Sequence, residues 1–336
     1  MRPRMVDVAR RAGVSPKTVS NVINGYIHVS PEMRSRVQQA VEELGYVPNS
    51  TARTLRTGRT GIIAFAVPNL AAAYFAELAT LVTVAAEKRG FTILIDQTDG
   101  LLEREQRIAA GLREHLIDGL IFSPLTMTPT EISAASGSTP MVLLGERDAP
   151  SSVDHVVIDN VVAAREATEH LVGLGRRRIA AVGAPLDVST GTGSVRLRGY
   201  REALEGAGLE DSALVVPTGR LLRQSGAEAA DRLLDLPRPP DALFCFNDAI
   251  AFGAMHALRK RGVQVPDDVA IVGFDDVEEA SYSNPTLSSV RPDKQGIAEA
   301  AIDRLTSRLD GTAGHRPDAV VIPHELVVRE SSGGSE

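Results

Sequence analysis

Residues 5–24 read MVDVARRAGVSPKTVSNVIN, the pattern of a short helix, a glycine turn and a second short helix. Val6, Val8, Ala9 and Ala12 are spaced for a buried face on the first helix. Gly13 permits the tight turn, and Ser15-Pro16 supplies an N-cap followed by proline at the first helical position. Val19, Val22 and Ile23 recur at i, i+3, i+4 and can pack on the first helix. Lys17, Thr18, Ser20, Asn21 and Asn24 then face outward, as donors and small polar groups suited to base edges and phosphates. A second helix held across a first places side chains in a DNA major groove. The same pattern also fits an αα-hairpin that caps a larger domain.

Charge separates these two readings. Residues 1–60 hold ten Lys or Arg and four acidic residues, a net of +6, whereas the 336-residue chain is −7 overall. Residues 61–336 therefore carry −13. A basic N-terminal segment on an acidic body points to a polyanionic partner for the small segment only.

Composition bounds the rest. The length exceeds one ordinary core, and 43% apolar with 24% charged residues is the balance of a soluble globular protein. Cys245 is the single cysteine and lies in the apolar run Leu243–Phe246, the setting of a buried structural thiol. No apolar stretch approaches the roughly 20 residues of a membrane span. The opening MRPRMVDVARR is interrupted by Asp7 and lacks a signal peptide's apolar stretch, so a cytoplasmic protein is expected. The seven histidines form no HxxxH or HxH pair, which argues against a metal, and no cofactor is expected.

Along the chain, Ser30-Pro31 repeats the cap-plus-proline device and predicts a third helix to about Leu44, ended by Gly45. Val37, Val41 and Leu44 can close a three-helix core over residues 1–48. Asn49 can cap a helix of about seven residues ending at Gly58, too short to persist alone in water. Residues 49–59 are therefore expected to order only against a partner, which makes them a candidate switch. From Thr60 apolar strands alternate with helices: 62–67, 91–95, 119–122 and 141–144 in a first parallel series, then 156–159, 179–182, 214–216, 243–246 and 269–272 in a second. Two doubly wound halves imply a cleft bordered by the carboxyl ends of strands. We expect one half over about 60–160 and 291–318, the other over about 161–290 and 319–330, and a disordered tail over 331–336.

The strand ends supply the candidate ligand groups. Tyr74-Phe75 gives an aromatic surface; Arg196 falls in the first turn of a helix; Asn247-Asp248 and Asp275-Asp276 each end a strand. An arginine fork, an amide and a carboxylate beside an aromatic wall can bind the hydroxyls or polar ring of a small ligand. Asn247 or Asp248 could equally cap the following helix. Asp275 and Asp276 point to opposite sides, so they do not form a paired acid/base site. Gly191-Thr192-Gly193 lacks the third glycine of a dinucleotide loop, because residue 196 is Arg.

Taken in order, VDVARRAGVSPKTVSNVINGYIHVS, ELGYVPNSTARTLRTGRTGIIAF, FCFNDAIAFGAM and PDDVAIVGFDD closely resemble the lac/gal repressor family of bacterial transcription factors over about residues 3–330. The resemblance implies a helix-turn-helix domain and a hinge helix joined to a periplasmic-binding-protein-like core of two doubly wound parallel-sheet subdomains. It implies a non-enzymatic homodimer that binds a pseudo-palindromic operator in double-stranded DNA under control of a small effector, a sugar first, with purines or other metabolites open. By position it assigns base reading to Pro16, Lys17 and Asn21, phosphate or groove contacts to Thr18, Ser20, Asn24 and His28, and DNA binding to Met5. Asn49, Ala52 and Leu55 match the minor-groove hinge helix, whose leucines wedge a base step. Tyr74, Phe75, Arg196, Asn247 and Asp275 match the effector-contacting places. Two departures stand out: Leu221 replaces an aromatic platform, and Gly145 replaces an acid for which Glu146 is the substitute. Other classes of answer are a ligand-binding protein whose N-terminal helices dock a protein, and a two-domain α/β enzyme. The second lacks both a P-loop and a full dinucleotide fingerprint.

Overall fold

The computed structural model describes residues 3–23, 28–46, 59–110, 116–136, 139–145, 152–186, 191–314 and 316–334. The chain divides into two compact units, Met1–Thr60 and Gly61–Glu336.

The first unit contains α1 (Met5–Ala12), α2 (Pro16–Ile23) and α3 (Pro31–Leu44). Local chemistry sets their limits. The Thr18 and Met33 backbone N–H groups donate to the Ser15 and Ser30 hydroxyls at 3.1 and 3.3 Å, satisfying helix N-termini that would otherwise lack acceptors. Gly13 ends α1 with φ 65°, in the left-handed region that glycine enters without steric cost. Val8, Ala9, Ala12, Val19, Val22, Val37, Ala40 and Tyr46 are buried together. Val6 is 42% exposed, contrary to expectation, because two residues along a helix is a turn of roughly 200° away from Val8. Arg36 Nη2 donates to the Ala12 carbonyl at 2.5 Å and ties α3 to the turn.

The second unit contains two sheets of six described strands each. The first lobe's sheet holds β1 (Ile62–Val67), β2 (Thr92–Gln97), β3 (Gly119–Phe122), β4 (Met141–Leu144), β5 (Asp154–Ile158) and β11 (Ala319–Ile322) in the order β11-β5-β4-β3-β1-β2, all parallel. Its helices are α4 (Ala73–Glu87), α5 (Leu102–Ala109), α6 (Pro129–Ala135) and α11 (Lys294–Leu309). The second lobe's sheet holds β6 (Ile179–Ala184), β7 (Leu214–Pro217), β8 (Ala242–Cys245), β9 (Ala270–Phe274), β10 (Ser288–Pro292) and β12 (His324–Val327) in the order β12-β10-β9-β8-β6-β7. Only the β10–β12 pair is antiparallel. Its helices are α7 (Asn160–Gly173), α8 (Thr192–Gly206), α9 (Arg223–Leu234) and α10 (Asp248–Lys260). Near-continuous apolar strands such as Ile62–Val67 are what a parallel sheet covered on both faces requires.

Three expectations are corrected. The stretch 156–159 falls on the first lobe's side of the expected bound near 160 but does not open the second strand series: β5 lies between β4 and β11 in the first sheet. Residues 319–322 likewise belong to the first lobe, and the chain returns to the second at Pro323, one residue before β12. The chain thus passes between lobes at Asp159, Asp293 and Pro323, and Asp293 N–H donates to the Pro323 carbonyl at 3.1 Å. The tail is not disordered over 331–334. Ser331 and Ser332 are buried: Ser331 Oγ accepts from Ser288 N–H at 2.8 Å and donates to the Ile271 carbonyl at 2.7 Å. Small polar residues there fill hydrogen-bonding positions rather than solvent, which composition alone does not show. Among the described residues no helix is long and apolar enough to cross a membrane.

Candidate ligand cavity and nucleic-acid surface

A cavity of about 500 Å³ opens between the lobes, within the usual range for small-molecule sites. It brings together Tyr74, Phe75, Arg196, Leu221, Asn247 and Asp275. Tyr74 and Phe75 sit in the first turn of α4, where consecutive positions diverge by about 100°, yet both rings reach the cavity. They meet edge to face, with centroids 5.2 Å apart.

Arg196 is the buried centre of the second lobe's contribution. Its Nε donates to Asn160 Oδ1 at 2.7 Å, a second nitrogen donates to the Phe246 carbonyl, and its guanidinium lies 3.4 Å from the Phe274 ring centroid. The remaining nitrogen, Nη2, stands 4.0 Å from Asp275 Oδ1. Burial pushes the Asp275 carboxyl up to about 6, with Glu77 adding to the rise and Arg196 and Lys294 opposing it. Asn247 caps α10 by accepting the Ile250 N–H at 2.9 Å, while its amide donates to the Leu221 carbonyl at 3.3 Å.

Asp248, the alternative cap, does something else. It is buried and accepts from Val277 N–H at 2.9 Å and from the Ser289 hydroxyl at 2.6 Å. Burial and the neighbouring Asp275 hold its carboxyl well above the usual carboxylate range. Asp275 and Asp276 do diverge. Asp275 lines the cavity, whereas Asp276 accepts from Arg291 and Arg329, each at 2.6 Å. Both have positive φ, 107° and 43°.

The first lobe contributes groups that the sequence reading did not single out. Asp99, at φ 56° in the turn after β2, lines the cavity, and its carboxylate accepts from Gln97 Nε2 at 2.5 Å and from Arg104. Glu105 is fully buried and accepts from the N–H groups of Leu125, Thr126 and Met127 at 2.7–2.9 Å and from the Thr126 hydroxyl at 2.7 Å. It thereby fixes the wall that Leu125 and Thr126 present to the cavity. Gly145 also lines the cavity, and its carbonyl bonds to His155 Nε2. Burial lowers the pKa of that imidazole. The Cys245 thiol is buried, and burial pushes its pKa far up, so it does not serve as a nucleophile.

On the first unit, Pro16, Lys17 and His28 are exposed, and Met5, Thr18, Ser20 and Asn21 are half-buried. The Ser15 and Thr18 hydroxyls bond to each other at 2.9 Å. Asn24, Asn49, Ala52, Leu55 and Glu146 lie outside the described residues. No group of three or more His, Cys, Asp or Glu among the described residues is arranged to hold a metal.

Comparison with known proteins places this architecture. Residues 4–49 match the model of bacterial regulatory proteins of the lacI family, and residues 168–332 match the periplasmic binding protein-like domain. The HTH-type transcriptional regulator DegA of Bacillus subtilis (strain 168) is 36% identical over 339 residues, covering 99% of this chain and 98% of DegA. The chain belongs to the LacI family.

Solved structures agree. A complex of the transcriptional regulator CelR with cellobiose is 33% identical, with TM-score 0.72 over 98% of this chain and all of that one. A lac repressor dimer bound to operator and an anti-inducer is 26% identical, with TM-score 0.83 over 99% of both chains. This LacI-family chain is a non-enzymatic transcription regulator with a DNA-binding domain and an effector-binding core.

Two cavity-lining residues of this LacI-family core that were not singled out had a legible signal. Asn160 directly follows the strand-end Asp159, and Asp99-Gly100 is a turn dipeptide after an apolar strand. Glu105 had none, since a helix-surface glutamate and a buried one read alike.

Proposed function

We propose that this regulator binds a pseudo-palindromic operator as a homodimer and that a neutral sugar in the core cavity controls its affinity for DNA. The observation that carries the sugar reading is the distribution of charge around the cavity. Among the described residues two arginines line the cavity: the buried Arg196 guanidinium is engaged by Asn160, the Phe246 carbonyl and Asp275, and Arg220 is exposed, so the buried wall offers no uncommitted cation to an anionic ligand. Carboxylates line the cavity on both lobes, Asp99 on one and Asp275 on the other, and hydroxyl groups are the donors they can accept. Leu221 in place of an aromatic platform weakens stacking on a purine from that side. The CelR–cellobiose complex, similar over the whole chain, supports the same class.

In this reading Tyr74, Phe75, Arg196, Leu221, Asn247 and Asp275, with Glu146, contact the effector. Pro16, Lys17 and Asn21 read bases. Met5, Thr18, Ser20, Asn24 and His28 hold the backbone or groove edge, and Asn49, Ala52 and Leu55 contact the minor groove. Dimerisation is supported by the exposed apolar residues Val84, Ile95, Leu101 and Leu102 around β2, the edge strand of the first sheet. A two-fold protein matches a two-fold operator, with one half-site per N-terminal domain. A thermal-shift screen of sugars and nucleobases, repeated with operator present, tests the effector class. Stabilisation by sugars and not by nucleobases is expected, and the reverse would overturn it. Analytical ultracentrifugation tests the dimer, which a monomer at micromolar concentration would exclude.

A further inference from the structure

The loop that carries Asp275 is held from both lobes at once. Within the second lobe, Asp275 N–H donates to the Val290 carbonyl at 2.9 Å, Asp276 N–H to Ser289 Oγ at 3.0 Å and Val277 N–H to Asp248 Oδ2 at 2.9 Å. The next N–H, that of Glu278, crosses to the first lobe and donates to Glu77 Oε1 on α4 at 2.8 Å. Glu77 Oε2 accepts from Lys294 Nζ at the start of α11, and Lys294 also donates to the Asp276 carbonyl at 2.9 Å. Glu77 and Lys294 are both shielded, at 29% and 12% side-chain exposure. A charged pair belonging to the first lobe thus grips two backbone groups of the second, on either side of Val277.

We propose that Glu77 and Lys294 form a clamp that positions the Asp275 loop and sets the resting angle between the lobes, so that an effector acts by working against it. The proposal rests on the cavity being the effector site. Three features favour a control role over simple packing. The clamp reaches the backbone within one to three residues of the cavity's carboxylate. The loop it grips carries two successive non-glycine residues at positive φ, a conformation that persists only when surroundings enforce it. The opposite side of the loop is anchored separately, through the Asp276 carboxylate to Arg291 and Arg329. Movement of Asp275 on ligand binding is therefore resisted by the second lobe's anchors and by the first lobe's clamp. Of these two restraints on the loop, only the clamp spans the lobes. Differential contact of this kind is what lets a ligand shift a two-state equilibrium.

Hydrogen–deuterium exchange of the full-length protein, free of ligand and DNA, tests the clamp without any effector. In Glu77→Ala and Lys294→Met, amides 276–280 should exchange about tenfold faster than in the wild type, while the buried strand Ala242–Cys245 keeps its rate. Glu77→Gln retains an acceptor for Glu278 N–H and should stay near wild type. Unchanged exchange over 276–280 in both disrupting variants overturns the proposal, and so does an equal rise in Ala242–Cys245. The control role is read separately with cellobiose and D-ribose as probes. Whichever sugar shifts wild-type operator affinity should produce a shift at least threefold smaller in Lys294→Met, and an unaltered shift would contradict it. If neither sugar acts on the wild type, the sugar reading fails while the exchange result still decides the clamp.

Discussion

Arg196 Nη2 stands 4.0 Å from Asp275 Oδ1 while the rest of the guanidinium is committed to Asn160, the Phe246 carbonyl and the face of Phe274. The arginine is both a wall of the cavity and, with Lys294, one of two cations that oppose the upward shift of the Asp275 carboxyl. Arg196→Ala should destabilise the core by at least about 2 kcal/mol, because Asn160 and the Phe246 carbonyl lose this donor in a buried setting. Asp275 should also titrate above about 6 in the variant. Urea unfolding at neutral pH measures the first effect, and a wild-type midpoint would contradict it.

Asp275 makes core stability depend on pH. Its folded value is raised to about 6, so the stability it contributes is complete below the unfolded value, near 3.8, and is lost as pH rises through about 6. Asp275→Asn removes the ionisation. The melting temperature of the variant relative to wild type should therefore climb between pH 4.5 and 7.5, by an amount on the order of 2–3 kcal/mol in stability. A flat difference across that range would show that Asp275 is not shifted.

Glu105 has the opposite relation to the cavity, since it touches only the wall. Glu105→Leu leaves three backbone N–H groups without their acceptor and should cost about 3 kcal/mol. Glu105→Gln should cost less than half as much. Equal losses would mean that the packing of the side chain, not its hydrogen bonds, holds Leu125–Met127.

Deletion of residues 330–336 tests the seating of the C-terminal turn. Thr286 N–H loses the Glu330 carboxylate at 2.7 Å, and Ser288 N–H loses Ser331 Oγ at 2.8 Å. A loss of about 2–4 kcal/mol is expected by chemical denaturation. No loss would restore the view of these residues as a solvated tail.

Local chemistry was legible and long-range pairing was not. Ser15-Pro16, Ser30-Pro31, Gly13 and Gly45 announce helix limits through contacts within four residues, and the structure places α2 and α3 at those limits. Tyr74, Phe75, Arg196, Asn247 and Asp275 could be found because strand ends in a doubly wound sheet converge on one cleft, whereas Leu221 came only from the resemblance to the lac/gal repressor family. The allocation of 319–322 to the first lobe depends on pairing across more than 150 residues, as in Ala319 opposite His155. Nothing near that strand encodes it. Asp248, Glu105 and Ser331 share the same difficulty: each is a polar residue whose burial follows from partners 20 to 60 positions away.

Lys17 is exposed in the first turn of α2. Lys17→Ala should relax preference at one base pair per half-site, at about 1–3 kcal/mol. A uniform loss over all sequences would instead mark Lys17 as a phosphate contact.

Control of DNA binding from the cavity is tested most directly by the dissociation constant of the full-length protein for an operator duplex selected from random sequence. It should be measured by fluorescence anisotropy at fixed salt, with and without a sugar shown by thermal shift to bind the core. A change of at least about fivefold is expected, abolished in a variant that no longer binds the sugar. A constant unchanged at saturating sugar would contradict the coupling of cavity to operator.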